Sequence, residues 1–102
     1  MIFILIILKK IIGKMKNKKN IEDVITEGIS EINLLLPKNK KIKKNNFKIH
    51  GNPSFDSLNY VTFILSIEKR LKAKLKKNID LINSNVEFKN KDQLIKYILK
   101  NL

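Results

Sequence analysis

The feature that most constrains the fold of this chain is the recurrence of apolar residues every three or four positions in three separate segments. Such spacing places the apolar side chains on one face of an α-helix, whereas a half-buried strand requires strict alternation. No alternating segment predicts a strand, and a chain of 102 residues is the size of one small domain. The sequence therefore predicts a single all-α domain.

The first periodic segment predicts a helix over residues 21–36. Its repeated positions are Ile21, Val24, Ile25, Gly28, Ile29, Ile32, Leu35 and Leu36. Asn20 is suited to cap this helix, and Pro37 follows its end. A segment of about twenty residues rich in lysine and asparagine comes next, with Phe47 and Ile49 as its apolar anchors. Loops of that length in a small domain are usually functional or mobile.

The second periodic segment predicts a helix over residues 57–73, and the third predicts one over residues 91–101, capped by Asn90. For the second helix the predicted inward stripe and its flanks are Leu58, Val61, Phe63, Ile64, Leu65, Ile67, Glu68, Leu71 and Leu75. For the last helix the predicted inward residues are Leu94, Ile95, Ile98 and Leu99. A short helical turn is expected near residues 84–88, which contain Val86 and Phe88. The predicted domain covers residues 20–102.

The net charge of +13 raises the question of a nucleic-acid partner. Arg70 is the only arginine, and the lysines are spread over loops and helix ends. Base recognition usually employs arginine, and single-strand binding employs aromatic side chains on a sheet. A specific nucleic-acid partner is therefore not expected, and A/T-rich codons are a competing origin of the charge. The alternative function is a small basic helical module that binds RNA or an anionic membrane surface.

Cysteine and histidine usage excludes several kinds of site. The chain has no cysteine, so it forms no disulfide and no thiolate metal site. Its one histidine, His50, cannot build a metal cluster and is expected in a solvated loop. No glycine pattern of a nucleophile elbow surrounds any serine, so a catalytic triad is not predicted.

The first 19 residues form an apolar and basic extension. Residues 1–8 are an unbroken apolar run that is too short to span a bilayer, and the lysines that follow it do not fit a signal peptide. Three interpretations stay open for the first fourteen residues: a membrane-surface anchor through residues 1–12, an extra helix packed on the domain, or a segment outside the natural protein. The third is favoured, because Met15 is a plausible alternative start. In that case the extension is non-native or disordered.

The candidate functional residue is Ser57, which follows Asp56 and opens the second predicted helix. The first helical turn exposes the hydroxyl and directs unpaired backbone N–H groups and the positive end of the helix dipole towards it. A phosphodiester on Ser57 would be stabilised there. Asp and Ser are also the commonest N-cap residues, so the pair can simply mark a helix start.

With Leu58, this serine completes an Asp-Ser-Leu sequence that resembles the attachment site of acyl carrier proteins. The resemblance extends over residues 21–102. That family shares a long first helix, a long loop, a serine opening the second helix and an acid in its third turn, here Glu68. The resemblance implies an acyl-carrier-like bundle of three main helices plus one short helix, with the long loop between the first two.

The resemblance also implies a function without catalysis. Ser57 would carry a covalent 4′-phosphopantetheine arm, attached by a phosphopantetheinyl transferase that uses coenzyme A and magnesium. Acyl-loading and acyl-accepting enzymes would be the other partners of a monomeric, cytoplasmic carrier. Asp56 would either help to hold the transferase's metal or only cap the helix. The acyl-pocket candidates are Leu58, Val61, Ile64 and Ile67, for which ordinary core packing is the alternative.

The chain departs from this family in its charge. Asn59 and Thr62 stand where carriers of fatty acid synthesis often have acids, and Lys69 and Arg70 follow Glu68. Docking by the usual charge complementarity is therefore not expected. The departure favours a specialised carrier with its own partner, recognised around Ser57 and the adjacent rim of the second helix.

Overall fold

Three helices connected by irregular segments form the protein. The computed structural model describes residues 2–102, apart from the side chain of Lys14. The helices are α1 (Ile2–Leu35), α2 (Ser57–Leu75) and α3 (Lys91–Lys100), with one 3-10 turn at Lys38–Lys40. Within the described residues there is no β-strand, and a single antiparallel bridge joins Lys48 to Asn90. The all-α prediction and its three main helices are confirmed.

Helix α1 lies at the centre of the domain, because both α2 and α3 pack against it. Its buried face begins at Ile21, and α1 and α2 approach closely at Gly28, where an added Cβ would lie 3.3 Å from Cε1 of Phe63. Loop residues complete the core. The buried apolar residues are Ile21, Val24, Ile25, Ile29, Ile32, Ile42, Phe47, Ile49, Phe63, Ile64, Ile67, Leu71, Ile79, Leu81, Phe88, Leu94, Ile95 and Ile98.

Ion pairs along the edge of the α1–α2 contact show that the two helices are antiparallel. Arg70 donates to Glu27 at 3.1 Å and to Glu31 at 2.9 Å, and Lys74 lies 3.7 Å from Asp23 one turn further along. Ser66 also donates to Glu31, at 2.7 Å. The hydrogen bonds from Ser66 and Arg70 hold the pKa of Glu31 below its ordinary value. Higher residue numbers on α2 therefore meet lower numbers on α1, so Ser57 lies at the end of the bundle where α1 terminates.

Two predictions of helix boundaries are wrong. The first helix does not begin at residue 21 but runs without interruption from Ile2, because residues 2–20 contain no proline and have side chains compatible with a helix. No helix forms at residues 84–88. The chain there bends at Ser84 and is then irregular, with Asn85 in the left-handed conformation (φ 58°). Met1, the first residue of the predicted extension, lies outside the described residues.

The predicted inward face of α2 is also wrong in part. Phe63, Ile64, Ile67 and Leu71 are buried, whereas Leu58, Val61 and Leu65 are exposed. Apolar residues occur on more than one side of this helix, so periodicity alone allows two orientations. The contact with α1 selects the face that carries Phe63 and Ile67, since these two side chains lie against Gly28.

Removal of the first fourteen residues is expected to leave the fold intact. The nine large apolar side chains from Ile2 to Ile12 are 46–79 % exposed, and the core begins only at Ile21. A chain that begins at Met15 should therefore keep its cooperative melting. Its helical circular-dichroism signal should fall only by the part that the removed residues contribute. The measurement is thermal unfolding of both chains. A large loss of melting temperature would mean that Ile4 to Ile12 stabilises the domain.

Candidate functional site

Ser57 is an exposed residue in the first turn of α2, as the sequence predicts. Asp56 precedes it in extended conformation, and its carboxylate accepts a hydrogen bond from the backbone N–H of Asn59 at 2.8 Å. The carbonyl of Asp56 accepts the next backbone bond, from Tyr60, at 2.9 Å. Asp56 is therefore the N-cap of α2, and the backbone N–H groups of Ser57 and Leu58 precede the first intrahelical bond.

An open cavity of about 450 Å³ adjoins Ser57. Its walls come from three parts of the chain: the end of the long loop, the first turn of α2 and the segment before α3. The lining residues are Ile49, His50, Gly51, Phe55, Asp56, Ser57, Tyr60, Ile82, Asn85, Val86, Glu87 and Phe88. Apolar side chains thus lie beside an exposed hydroxyl and the positive end of a 19-residue helix.

Backbone hydrogen bonds tie the two irregular walls of this cavity together. The N–H groups of Ile49 and His50 both donate to the carbonyl of Lys89, at 2.8 and 3.3 Å, and the N–H of Lys91 donates to the carbonyl of Phe47 at 3.2 Å. These bonds form a short strand-like contact between the long loop and the entry to α3. The cavity is therefore a built feature of the fold, held together by bonds between residues about forty positions apart in the chain.

Glu68 on α2 holds the segment that carries Ile82, one of the residues that line the cavity. Its Oε1 accepts hydrogen bonds from the backbone N–H groups of Leu81 at 2.5 Å and Ile82 at 3.0 Å. A carboxylate that accepts backbone N–H groups fixes a turn that would otherwise lack partners. Glu68, the acid that the resemblance to acyl carrier proteins singled out, thus fastens the segment that carries Ile82 against α2.

The four predicted acyl-pocket residues do not line the cavity beside Ser57. Leu58 is 74 % exposed and Val61 is 39 % exposed, so both face solvent on α2. Ile64 and Ile67 are fully buried in the core. Asp56 and Ser57 are the two lining residues that were predicted as site residues. The others were not, because most of them lie in irregular segments, where no periodicity marks the direction of a side chain.

His50 lies in an exposed turn, as predicted, and its Nδ1 lies 2.6 Å from Oε1 of Glu87. Both residues border the cavity that contains Ser57. Tyr60 borders it too, and burial together with the nearby charge of Glu87 raises the pKa of the Tyr60 phenol. The phenol is therefore a neutral hydroxyl at physiological pH.

The rim of α2 offers little negative charge to a partner. Asn59 donates to the carbonyl of Ser54 at 3.1 Å, and the Thr62 hydroxyl donates to the carbonyl of Leu58 at 2.9 Å. Arg70 is engaged with the acids of α1, whereas Lys69 is exposed. An exposed apolar strip of Leu58, Val61 and Leu65 runs along the same helix from Ser57.

Among residues 2–102, no group of histidine, cysteine, aspartate and glutamate could hold a metal ion. No helix within the described residues is both long enough and apolar enough to cross a membrane.

Comparison with models of protein families, with curated proteins and with solved structures finds no match to this chain.

Proposed function

We propose that this protein is an acyl carrier with a 4′-phosphopantetheine arm on Ser57, and a specialised carrier rather than the main one of fatty acid synthesis. The observation that carries the proposal is the position of an exposed serine hydroxyl in the first turn of α2, directly beside a cavity of about 450 Å³. No other serine combines exposure, a helix start and an adjoining cavity in the described residues. The protein itself performs no catalysis in this proposal.

The local geometry fits such a group. The arm's phosphodiester would lie at the N-terminus of α2, where the free N–H groups of Ser57 and Leu58 and the helix dipole favour negative charge. The adjoining cavity offers Ile82, Val86 and Phe88 as an apolar wall for the organic part of the arm or its acyl group. Burial of acyl methylenes there would stabilise the bound state by up to about 0.8 kcal/mol each.

Attachment of the arm is a simple transfer. The Oγ of Ser57 forms a bond to the phosphorus of the pantetheine phosphate in coenzyme A, the bond to the adenosine bisphosphate breaks, and the hydroxyl proton leaves. The arm's terminal thiol supplies the thioester chemistry that a chain without cysteine lacks. Loading and accepting enzymes would then meet the apolar strip of Leu58, Val61 and Leu65 in place of the acids found in typical carriers.

The test is the intact mass of the full chain after incubation with coenzyme A, magnesium and a broad-specificity phosphopantetheinyl transferase. We expect a gain of about 340 daltons, the mass of one arm. Ser57→Ala should abolish the gain. Ser30→Ala is the matched control, since Ser30 lies on α1 outside the cavity lining, and its gain should equal that of the natural chain. An unchanged mass with several transferases, or a label on Ser54, would contradict the proposal.

The variant Asp56→Asn separates the two suggested roles of Asp56. Asparagine caps a helix as well as aspartate does, whereas alanine costs about 1 kcal/mol of stability. If the carboxylate only caps α2, Asp56→Asn accepts the arm at the natural rate. If it helps to hold the transferase's metal, Asp56→Asn keeps the natural melting temperature and loses most of the modification rate.

The alternative of RNA binding has its own distinguishing result. Non-specific attraction of lysines to phosphate falls steeply with salt. Tight, sequence-selective RNA binding at physiological salt that is unaffected by Ser57→Ala would contradict the carrier proposal and support RNA binding as the function.

A further inference from the structure

The N-terminal part of α1 is an apolar helix without a partner in the fold. The segment Ile2–Ile12 extends beyond the bundle, and its nine large apolar side chains are 46–79 % exposed. In this subsection the segment is called the arm, and the word no longer refers to the phosphopantetheine group. Exposed apolar patches of this kind normally mark an interaction site. The core begins at Ile21, so nothing in the domain covers the arm.

The direction of these side chains limits the partner. Residues 2–8 are seven consecutive apolar residues, and successive side chains on a helix differ by about 100°. They therefore point to all sides of the helix. A groove on a protein would cover one side and leave the rest in water, whereas lipid surrounds an inserted helix completely.

Charge gives the second constraint. Six lysines lie between residues 9 and 19, and the first acid of the chain is Glu22. A second copy packed parallel to the first would bring six further lysines beside these, which disfavours that pairing of two arms. An anionic lipid surface instead attracts each lysine. The long lysine side chains can extend along the helix to the head groups while their methylene stems remain in apolar surroundings.

We propose that the arm inserts into one leaflet of a bilayer that contains anionic lipid, with the lysines of residues 9–19 at the head groups. Eleven helical residues span about 16 Å, which is close to half of a hydrocarbon core of about 30 Å. This length agrees with the finding that no helix of residues 2–102 could cross a membrane. The arm is an anchor within one leaflet and not a span.

The continuity of α1 fixes the orientation of the rest of the molecule. About 24 Å of helix separates Lys19 from Leu35, and Ser57 lies at the end of the bundle where α1 terminates. With the arm inserted, the serine and its cavity face away from the bilayer. Membrane binding itself does not depend on modification of Ser57, so the two proposals can fail separately.

The test is flotation of the unmodified full chain with vesicles of phosphatidylcholine alone and with vesicles that also contain phosphatidylglycerol. We expect strong binding to the anionic vesicles, weak binding to the neutral ones and release at high salt. The double variant Ile4→Glu, Ile7→Glu should bind neither. Its matched control is Leu34→Glu, Leu35→Glu, which places two acids among exposed apolar residues at the other end of α1 and should bind like the natural chain.

A second pair of variants tests the lysines at equal net charge. Each variant replaces three lysines by glutamine, in one case Lys16, Lys18 and Lys19 and in the other Lys38, Lys43 and Lys44. The first should bind anionic vesicles on the order of 100-fold more weakly, because each lysine near the surface contributes separately to the attraction. The second should change the affinity little. Equal effects of the two variants would overturn the assignment of the lysines next to the arm.

Fluorescence reports whether the arm enters the lipid. The chain has no tryptophan, so Phe3→Trp gives a single reporter and Leu34→Trp gives its control. Brominated lipid should quench the first and not the second. Absence of flotation, equal binding to neutral and anionic vesicles, or absence of quenching at residue 3 would overturn the proposal. The proposal would also be overturned if the natural chain bound no vesicle and formed a dimer in solution that the double variant Ile4→Glu, Ile7→Glu did not form.

Discussion

Replacement of Phe63 by alanine is expected to lower the free energy of unfolding by about 3–5 kcal/mol, which is the usual cost of emptying a buried aromatic site. Phe63 is fully buried, and its ring centroid lies 6.0 Å from that of Phe47 and 5.2 Å from that of Phe55. Its ring also lies against Gly28 on α1. The variant therefore loses contacts to the neighbouring helix and to the long loop together.

The measurement for Phe63→Ala is urea unfolding followed by circular dichroism. The matched control is Val61→Ala, two residues earlier on the same helix, where the side chain is 39 % exposed. The control should change the free energy of unfolding by less than about 1 kcal/mol. Phe55 also borders the cavity beside Ser57, so the loss of the Phe63 ring should loosen this wall. A cost for Phe63→Ala no larger than that of the control would contradict the aromatic contact between helix and loop.

Replacement of Gly28 by leucine is the second large effect, with an expected cost on the order of 1–3 kcal/mol or more. A Cβ at residue 28 would lie 3.3 Å from Cε1 of Phe63 and 3.5 Å from Cγ1 of Ile67. The rest of the leucine side chain would fit only if α1 and α2 moved apart. This separation would also stretch the ion pairs that Arg70 makes with Glu27 and Glu31.

Gly13 provides the control for Gly28, because it lies on the same helix with nothing within 4 Å of its added Cβ. Gly13→Leu should leave the melting temperature of the domain unchanged and increase the helicity of residues 2–12, since leucine favours a helix by about 1 kcal/mol over glycine. Gly28→Leu should lower the melting temperature by about 4–8 °C per kcal/mol lost. Equal melting temperatures for the two variants would show that α1 and α2 do not approach at Gly28.

The helical character of the chain could be read from its sequence, because burial on one face of a helix imposes a spacing on apolar residues. The starts of α2 and α3 were predicted correctly for a local reason. The side chains of Asp56 and Asn90 each accept a hydrogen bond from a backbone N–H only three residues further along the chain. The start of α1 was not predicted, because nothing in residues 2–20 forbids a helix. The exposed hydroxyl of Ser57 followed from the same local rule.

The candidate site could be predicted only where it is local. Asp56 and Ser57 belong to a helix start and were found from the sequence. Ile49, Phe88 and Tyr60 meet around the cavity through long-range contacts, and no spacing along the chain encodes that meeting. Of the four acyl-pocket candidates, Leu58 and Val61 are exposed. Ile64 and Ile67 lie in the core, in agreement with the ordinary packing that was their alternative.

The sequence by itself determined the helical class, the two capped helix starts, the anchoring of the loop by Phe47 and Ile49, and the exposure of Ser57. Each depends on residues within a few positions of one another or on simple burial of apolar side chains. The tertiary structure decided which face of α2 turns inward, that Arg70 pairs with the acids of α1, and that Glu68 fastens the segment at Ile82. These depend on which surfaces meet, and that choice is made by the packing of the whole chain around α1.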